Sequence, residues 1–178
     1  VGLSCLFTDR TPDELCLVEN GFHEQHGIHL ALGRAAVALD PAARRVTLDD
    51  GEDLAFDTAV LASGSRPFVP PVPGVEHPRV HVYRTIDDVD RLRSVAAAPD
   101  VTRGAVIGGG LLGLEAADAL RRLGLETAVV EFAPHLMPQQ LDERAAAPLH
   151  RRLAALGLTL HLGARTEAID EQPDGSLL

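Results

Sequence analysis

Ala105-Val106-Ile107-Gly108-Gly109-Gly110-Leu111-Leu112-Gly113-Leu114-Glu115 is the stretch whose reading decides the fold. A short apolar run enters Gly-x-Gly-x-x-Gly and leaves it in Ala116-Ala117-Asp118-Ala119-Leu120, a good helix former. A second apolar run, Thr127-Ala128-Val129-Val130, ends on Glu131. A Gly-rich turn alone is weak evidence, because it can be only a turn. Here strand, glycines, helix, second strand and terminal acid follow in order within roughly thirty residues, as a dinucleotide-binding β-α-β unit requires. Gly108 permits the tight turn, Gly110 lets a pyrophosphate approach the backbone, and Gly113 lets the helix pack close to the strand. The N–H groups at the helix start, around Gly109, Leu111 and Leu112, are expected to hold the phosphates together with the helix dipole. Glu131 stands where a carboxylate bonds the two ribose hydroxyls of NAD. A carboxylate there repels a 2′-phosphate, so NAD is favoured over NADP.

The 178 residues suit one ordinary domain or two small ones. Trp is absent and aromatics make up 3% of the chain, so the core must come from Leu, Val, Ala and Ile. There is no Lys; every fixed side-chain cation is Arg. The net charge of −10 argues against nucleic acid and anionic membranes as partners. No apolar run approaches a membrane span and no signal peptide is visible, so a cytoplasmic protein is expected. Cys5 and Cys16 are too few and too far apart for a zinc site or a Cys-x-x-Cys pair. The eight His are scattered, and a solvated or surface role is expected for them; no metal site is expected. The chain opens directly on an apolar stretch and ends in Asp174-Gly175-Ser176-Leu177-Leu178, a turn followed by the start of a strand. Both ends look cut, and a fragment of a longer protein is expected.

Along the chain, Thr11-Pro12-Asp13-Glu14 has the form of a capping box and predicts a helix towards Asn20 or His26, broken or bent near Gly21. Residues 28–32 predict a short strand. Residues 36–39 and 45–48 alternate across Asp40-Pro41, a hairpin-like turn. Residues 54–57 and 58–62 follow, the latter uniformly apolar after its start and read as a buried strand. Residues 66–78 hold Pro67, Pro70, Pro71, Pro73 and Pro78, a stiff connection and the best candidate for a domain boundary. Residues 80–83 predict a strand, Thr85-Ile86-Asp87-Asp88 opens a helix to about Ala97, and Asp142 caps another that Gly157 ends. Strands are expected over residues 159–162 and 166–171.

Thr58-Ala59-Val60-Leu61-Ala62-Ser63-Gly64-Ser65-Arg66-Pro67 resembles the Ala-Thr-Gly segment of flavoprotein reductases with two dinucleotide folds, with Ser63 in place of the usual Thr. With Gly108 to Glu115 and Glu131, the chain resembles the pyridine nucleotide–disulfide reductase superfamily over nearly its whole length. Val82-Tyr83-Arg84-Thr85-Ile86-Asp87-Asp88 and Glu131-Phe132-Ala133-Pro134-His135-Leu136-Met137, with Gln140-Leu141-Asp142, resemble more narrowly the large subunit of NAD(P)H-dependent nitrite reductase.

The resemblance implies an α/β protein of Rossmann-type, three-layer FAD/NAD(P)-binding fold. It implies two dinucleotide-binding domains truncated at both ends: residues 1–78 part of the FAD-binding domain, and residues 79–178 the NAD(P)-binding domain. It implies FAD and NAD(H) as cofactors, with sirohaem and an iron–sulfur cluster only in a region beyond Leu178. By the same resemblance, Ala36 would meet the FAD adenine, Ala62, Ser63 and Gly64 would lie beside the flavin, and Arg84 near it. Gly108 to Gly113 would hold the NAD pyrophosphate and Glu131 the adenosine ribose. Glu115, one turn into the helix, would approach the nicotinamide–flavin contact; its alternative is a first-turn acid favoured by the dipole. Leu3-Ser4-Cys5 resembles the segment that holds the single redox cysteine of NADH oxidases and peroxidases; the alternative is a small buried thiol.

The implied function takes a hydride from NADH to FAD and sends electrons to a downstream acceptor, in this subgroup for nitrite. Alternatives are a ferredoxin or rubredoxin reductase, an NADH oxidase, or a nucleotide-binding module without catalysis. A homodimer is compatible with it, and these residues alone are expected to be inactive.

Overall fold

The computed structural model describes residues 3–7 and 10–178 of the chain. Val1 and Gly2, where the expected first domain begins, lie outside the described residues. The chain divides into two compact units, one formed by Cys16–Ser65 and the other by the segment ending at Leu15 together with Arg66–Leu178.

The unit Cys16–Ser65 carries a four-residue helix, α1 (Phe22–Gln25), and a three-stranded antiparallel sheet of β1 (Ala36–Asp40), β2 (Arg45–Leu48) and β3 (Asp53–Ala55). The hairpin expected at Asp40-Pro41 forms: Asp40 Oδ1 accepts the N–H groups of Ala42 and Ala43, each at 2.9 Å. Leu48 is buried beneath the sheet, and the exposed ion pairs Arg45–Asp53 (3.0 Å) and Arg34–Asp49 (3.1 Å) lie along its rim. Such exposed pairs contribute at most about 1 kcal/mol each.

Three expectations for the first part of the chain are corrected. The capping box is real, with Thr11 N–H donating to Glu14 Oε2 at 2.7 Å and Glu14 N–H to Thr11 Oγ1 at 3.4 Å. Yet only one 3-10 turn, Asp13–Leu15, follows it directly, and helix resumes only past the expected break at Gly21, as the four-residue α1. A helix nucleus propagates only where a face is buried, and Leu17 is 99% exposed. Residues 28–32 form no strand; Ile28, Leu30 and Leu32 are exposed between left-handed glycines at Gly27 and Gly33. Residues 58–62 are likewise no buried strand, since Val60 is 85% and Leu61 78% exposed. A strand of that composition needs parallel neighbours and cover on both faces, and no described strand pairs with it.

The second unit holds α2 (Ile86–Ala96), β4 (Arg103–Ile107), α3 (Leu111–Arg122), β5 (Glu126–Glu131), α4 (Glu143–Ala155) and β6 (Thr159–Leu162). The three strands are parallel in the order β4-β5-β6, with Ala105 opposite Ala128 and Val129 opposite Leu160. Strand–helix–strand connections of this kind force a parallel sheet, and the fold is Rossmann-type α/β. Ala117, Val129, Leu136 and Leu158 form its buried core, with Val106, Leu114, Leu149, Leu153, Leu160 and Leu162 packed around them. Leu6, in the 3-10 helix Leu3–Phe7, is also buried, and the Phe7 ring lies 6.1 Å from Tyr83 and beneath the Arg93 guanidinium.

The helix starts follow the sequence. Thr85 caps α2 in a reciprocal box with Asp88, and Asp142 Oδ1 accepts the Ala145 N–H at 2.8 Å to cap α4. Residues 80–83 form no described strand, and residues 166–171 make only a bridge from Glu171 to Leu177 around the turn at Gly175. The proline-rich connection belongs to this unit, so the division of contacts falls at Arg66. Ile169 N–H donates to Pro73 O at 2.9 Å, and Gly74 lies so close to the Ile169 carbonyl that a side chain there would collide with it. No described helix is long and apolar enough to cross a membrane.

Burial alone would raise the Asp88 carboxyl, but the N–H groups of Thr85 and Arg84, the Thr85 side chain and the Arg91 guanidinium outweigh it and hold it below 3.8. A depressed carboxylate contributes stability that is present above the unfolded value and lost as pH falls through the folded one. Thr85→Ala and Asp88→Asn should each cost on the order of 1 kcal/mol at neutral pH. In denaturant titrations the Asp88→Asn deficit should shrink once the pH drops below about 4.

Candidate functional site

The turn between β4 and α3 is built around its glycines. Gly108 has φ +112°, where a side chain is strained, and its N–H continues the sheet by donating to Val130 O at 2.8 Å. A Cβ on Gly113 would run into the Gly108 carbonyl oxygen, which is why helix and turn can lie so close. A Cβ on Gly110, the residue preceding α3, would meet nothing within 4 Å. That open space lies at the helix start, where the first N–H groups have no intrahelical partner and the dipole favours an anion. Leu111 and Leu112 are half-exposed beside it. The arrangement can take a phosphate on backbone donors without a cationic side chain.

Glu131, at the end of β5, faces this turn. Its Oε2 accepts the Gly109 N–H at 2.6 Å and its Oε1 the Ala133 N–H at 2.7 Å. An ionised carboxylate has about four acceptor positions, so positions remain for hydroxyl donors. Gly109 is buried, and a Cβ there would press on Leu136 Cδ2 at 2.5 Å and on the Glu131 side chain at 3.0 Å. Met137, left-handed at φ 52°, donates its N–H to Gly109 O at 2.9 Å. Sequence reasoning singled out Gly108, Gly110, Gly113 and Glu131 by role, and the structure brings them together. It missed the contributions of Leu136, Met137 and His150. His150 departs from the surface role expected of the histidines: it is partly buried and its Nε2 accepts the Leu136 N–H at 3.1 Å.

Glu115 lies one turn into α3 and is partly buried, so it is not a first-turn acid of that helix. Burial first, and then the charges of Glu115 and Cys5, push the Tyr83 phenol up to about 12. The Tyr83 hydroxyl is enclosed without a hydrogen-bond partner among the described residues. Cys5 is partly buried and Cys16 exposed. Ala36 lies on β1, whereas Ala62, Ser63 and Gly64 lie in a fully exposed stretch; no described hydrogen bond ties residues 58–69 to anything. Arg84 belongs to the other unit, where its N–H donates to Asp88 Oδ2 at 3.0 Å. Among the described residues no group of three or more His, Cys, Asp or Glu could hold a metal ion.

Residues 7–177 match the family model of pyridine nucleotide-disulphide oxidoreductases, and the chain belongs to that family. It is 48% identical over 175 residues to the nitrite reductase [NAD(P)H] large subunit of Klebsiella oxytoca, a match covering 98% of this chain and 18% of that protein. The nitrite reductase (NADH) large subunit of Escherichia coli is 41% identical over 97% of this chain and 20% of its own length. The chain thus spans about a fifth of these relatives. Among solved structures, a ferredoxin reductase for the CYP199A2 system from Rhodopseudomonas palustris superposes with TM-score 0.87 at 30% identity, over 99% of this chain and 46% of that one.

Gly110 and Gly113 should separate cleanly in thermal melts. Helix propensity alone makes Ala better than Gly inside a helix by up to about 1 kcal/mol. The collision with Gly108 should reverse the sign, so Gly113→Ala is expected to lose about 1–3 kcal/mol. Gly110→Ala, facing open space, should stay within about 0.5 kcal/mol of the unmodified chain.

Proposed function

We propose that this chain is the electron-entry part of an NADH-dependent flavoprotein that serves nitrite reduction. Residues 79–178 are the NAD(H)-binding domain and residues 1–78 part of the FAD-binding domain. The observation that carries the reading is the open backbone cradle at Gly110, closed on one side by the Glu131 carboxylate. When bound, nicotinamide supplies a hydride that the flavin accepts and passes on as electrons.

The chain's residues have distinct tasks in this reading. The N–H groups around Gly110, Leu111 and Leu112 hold the pyrophosphate. Glu131 takes the adenosine ribose hydroxyls with the acceptor positions its backbone bonds leave over, and excludes a 2′-phosphate by charge. Glu115, one turn further along α3, stands towards the nicotinamide. Ala36, Ala62, Ser63, Gly64 and Arg84 are the residues that would meet FAD. Gly64 has φ +75° and open space at its Cα, which suits close approach of a ligand. A sirohaem or iron–sulfur group does not fit here: two cysteines cannot supply the four thiolates of a cluster. The nitrite assignment is supported by the names of the relatives that are 48% and 41% identical. A ferredoxin-reducing role is the second reading, favoured by the superposition with the ferredoxin reductase from Rhodopseudomonas palustris.

Titration with NADH and NADPH tests the cradle. Gly110→Val should fold, because its side chain enters open space, and should lose NADH binding because that space is the pyrophosphate's. Retained affinity in folded Gly110→Val would move the site elsewhere. The unmodified chain should bind NADH more tightly than NADPH; equal binding would remove Glu131 from the ribose. The chain expressed alone should bind NADH while holding little FAD, read by flavin absorbance, and stoichiometric yellow protein would contradict this. Reduction of nitrite or of a ferredoxin by the complete protein with NADH decides between the two acceptors.

A further inference from the structure

The peptide of Leu136 is held on both sides by histidines. Its N–H donates to His150 Nε2 at 3.1 Å, and its carbonyl oxygen lies 3.1 Å from His135 Nδ1. A backbone N–H can only donate and a carbonyl can only accept. His150 Nε2 must therefore be bare, with its proton on Nδ1, and His135 must donate from Nδ1. The residue so held has two functions in the packing. The Leu136 side chain is fully buried in the core with Ala117, Val129 and Leu158. It also presses on the Cα of Gly109, leaving no room for a Cβ. The next residue, Met137, takes a left-handed conformation that its neighbours must impose, and from there its N–H reaches Gly109 O at 2.9 Å. Gln140 and Leu141 N–H both return to Met137 O at 2.9 Å, closing the turn. Gly109 is thus held by its N–H on Glu131, by its carbonyl on Met137 and by its Cα on Leu136.

We propose that His150 is a positioning residue for dinucleotide binding: by accepting the Leu136 N–H it keeps the 136–137 turn where it holds Gly109, and so shapes the phosphate loop before any cofactor arrives. This rests on the reading of the loop as the NADH site. His150 lies on α4, two residues past Pro148, and touches no part of the loop through a hydrogen bond of its own. It acts only through Leu136. A preorganised loop spares the ligand the cost of ordering it, whereas a Leu136 N–H left without a partner strains the turn or draws in water.

The test uses the full chain with two substitutions at one position. His150→Gln keeps an acceptor oxygen near the place of Nε2; His150→Leu keeps apolar bulk at the position but accepts nothing. His150→Leu should weaken NADH binding roughly fivefold, about the worth of one hydrogen bond. It should also speed amide exchange at Leu136, Met137 and Gly109 in the NADH-free chain. His150→Gln should restore most of both. Equal affinity and equal exchange in folded His150→Leu would overturn the proposal, and so would equal losses in both variants. Should His150→Leu fail to fold, the unmodified chain decides. The NADH-free protein should protect the Gly109 and Leu136 amides as well as those of β5, and fast exchange at either would overturn it. Exchange is read without NADH, so a failure of the NADH reading leaves this result intact and distinguishable.

Discussion

The hydrogen bond from Gly109 N–H to Glu131 Oε2, 2.6 Å long, joins the first β-α turn to the end of the second strand. Bonds to an ionised acceptor are roughly twice as strong as neutral ones, and this one ties the turn between β4 and α3 to the end of β5. The open N–H groups at the start of α3 point usefully only if the turn before them has one conformation. Glu131 removes one degree of freedom, Met137 N–H on Gly109 O another, and contact between Gly113 and the Gly108 carbonyl a third. Gly109 is therefore as constrained as Gly108, though for a different reason. Gly108 needs its positive φ, whereas Gly109 has no room for a side chain.

The double engagement of Glu131 also bears on the specificity proposed for it. A carboxylate that only met the ribose could be exchanged for a neutral group at the cost of those hydroxyl contacts. Here both oxygens already accept backbone N–H groups, one from the loop and one from Ala133. Replacing the carboxylate would release the loop as well, so under the proposed function cofactor discrimination and loop organisation would reside in one side chain. In the same reading, those bonds would keep the carboxylate from turning towards a pyrophosphate, whose negative charge it would oppose at short range.

Much of this was legible in the sequence where the causes are local. Strand β4, the glycines, α3, β5 and the caps at Thr85 and Asp142 each depend on residues within one turn or one strand, and each formed as the pattern indicated. Residues 58–62 failed because a buried parallel strand is a statement about its neighbours, and those are not in its own five residues. The helix expected after Thr11 failed for a related reason. The capping bonds formed, but a cap removes only the cost of a start, and nothing buries a face beyond Leu15. In the site, Gly109 occupied an unconstrained position of the motif, and its restraints come from Glu131, Leu136 and Met137, more than twenty residues away along the chain. His150 carried no motif at all; only the fold shows that it faces a backbone amide.

The two units are stabilised by different physics, and this bears on how the chain handles cofactors. Arg66–Leu178 encloses a core of Ala117, Val129, Leu136 and Leu158, and the phosphate loop hangs directly from that core through Leu136 and Gly113. Apolar burial supports it at about 25 cal/mol per Å², enough to hold a loop in shape without ligand. Cys16–Ser65 has Leu48 as its only buried apolar residue, and its cohesion lies in hairpin hydrogen bonds and exposed ion pairs. Those contribute little once water competes for them, so this unit derives little rigidity from its own residues. A site built on β1 and the exposed stretch at Ser63 and Gly64 must gain its order from what binds there, whereas the cradle at Gly110 has its order already. In the proposed reading, the nucleotide side would be organised before its cofactor arrives, and the flavin side would be organised by receiving one.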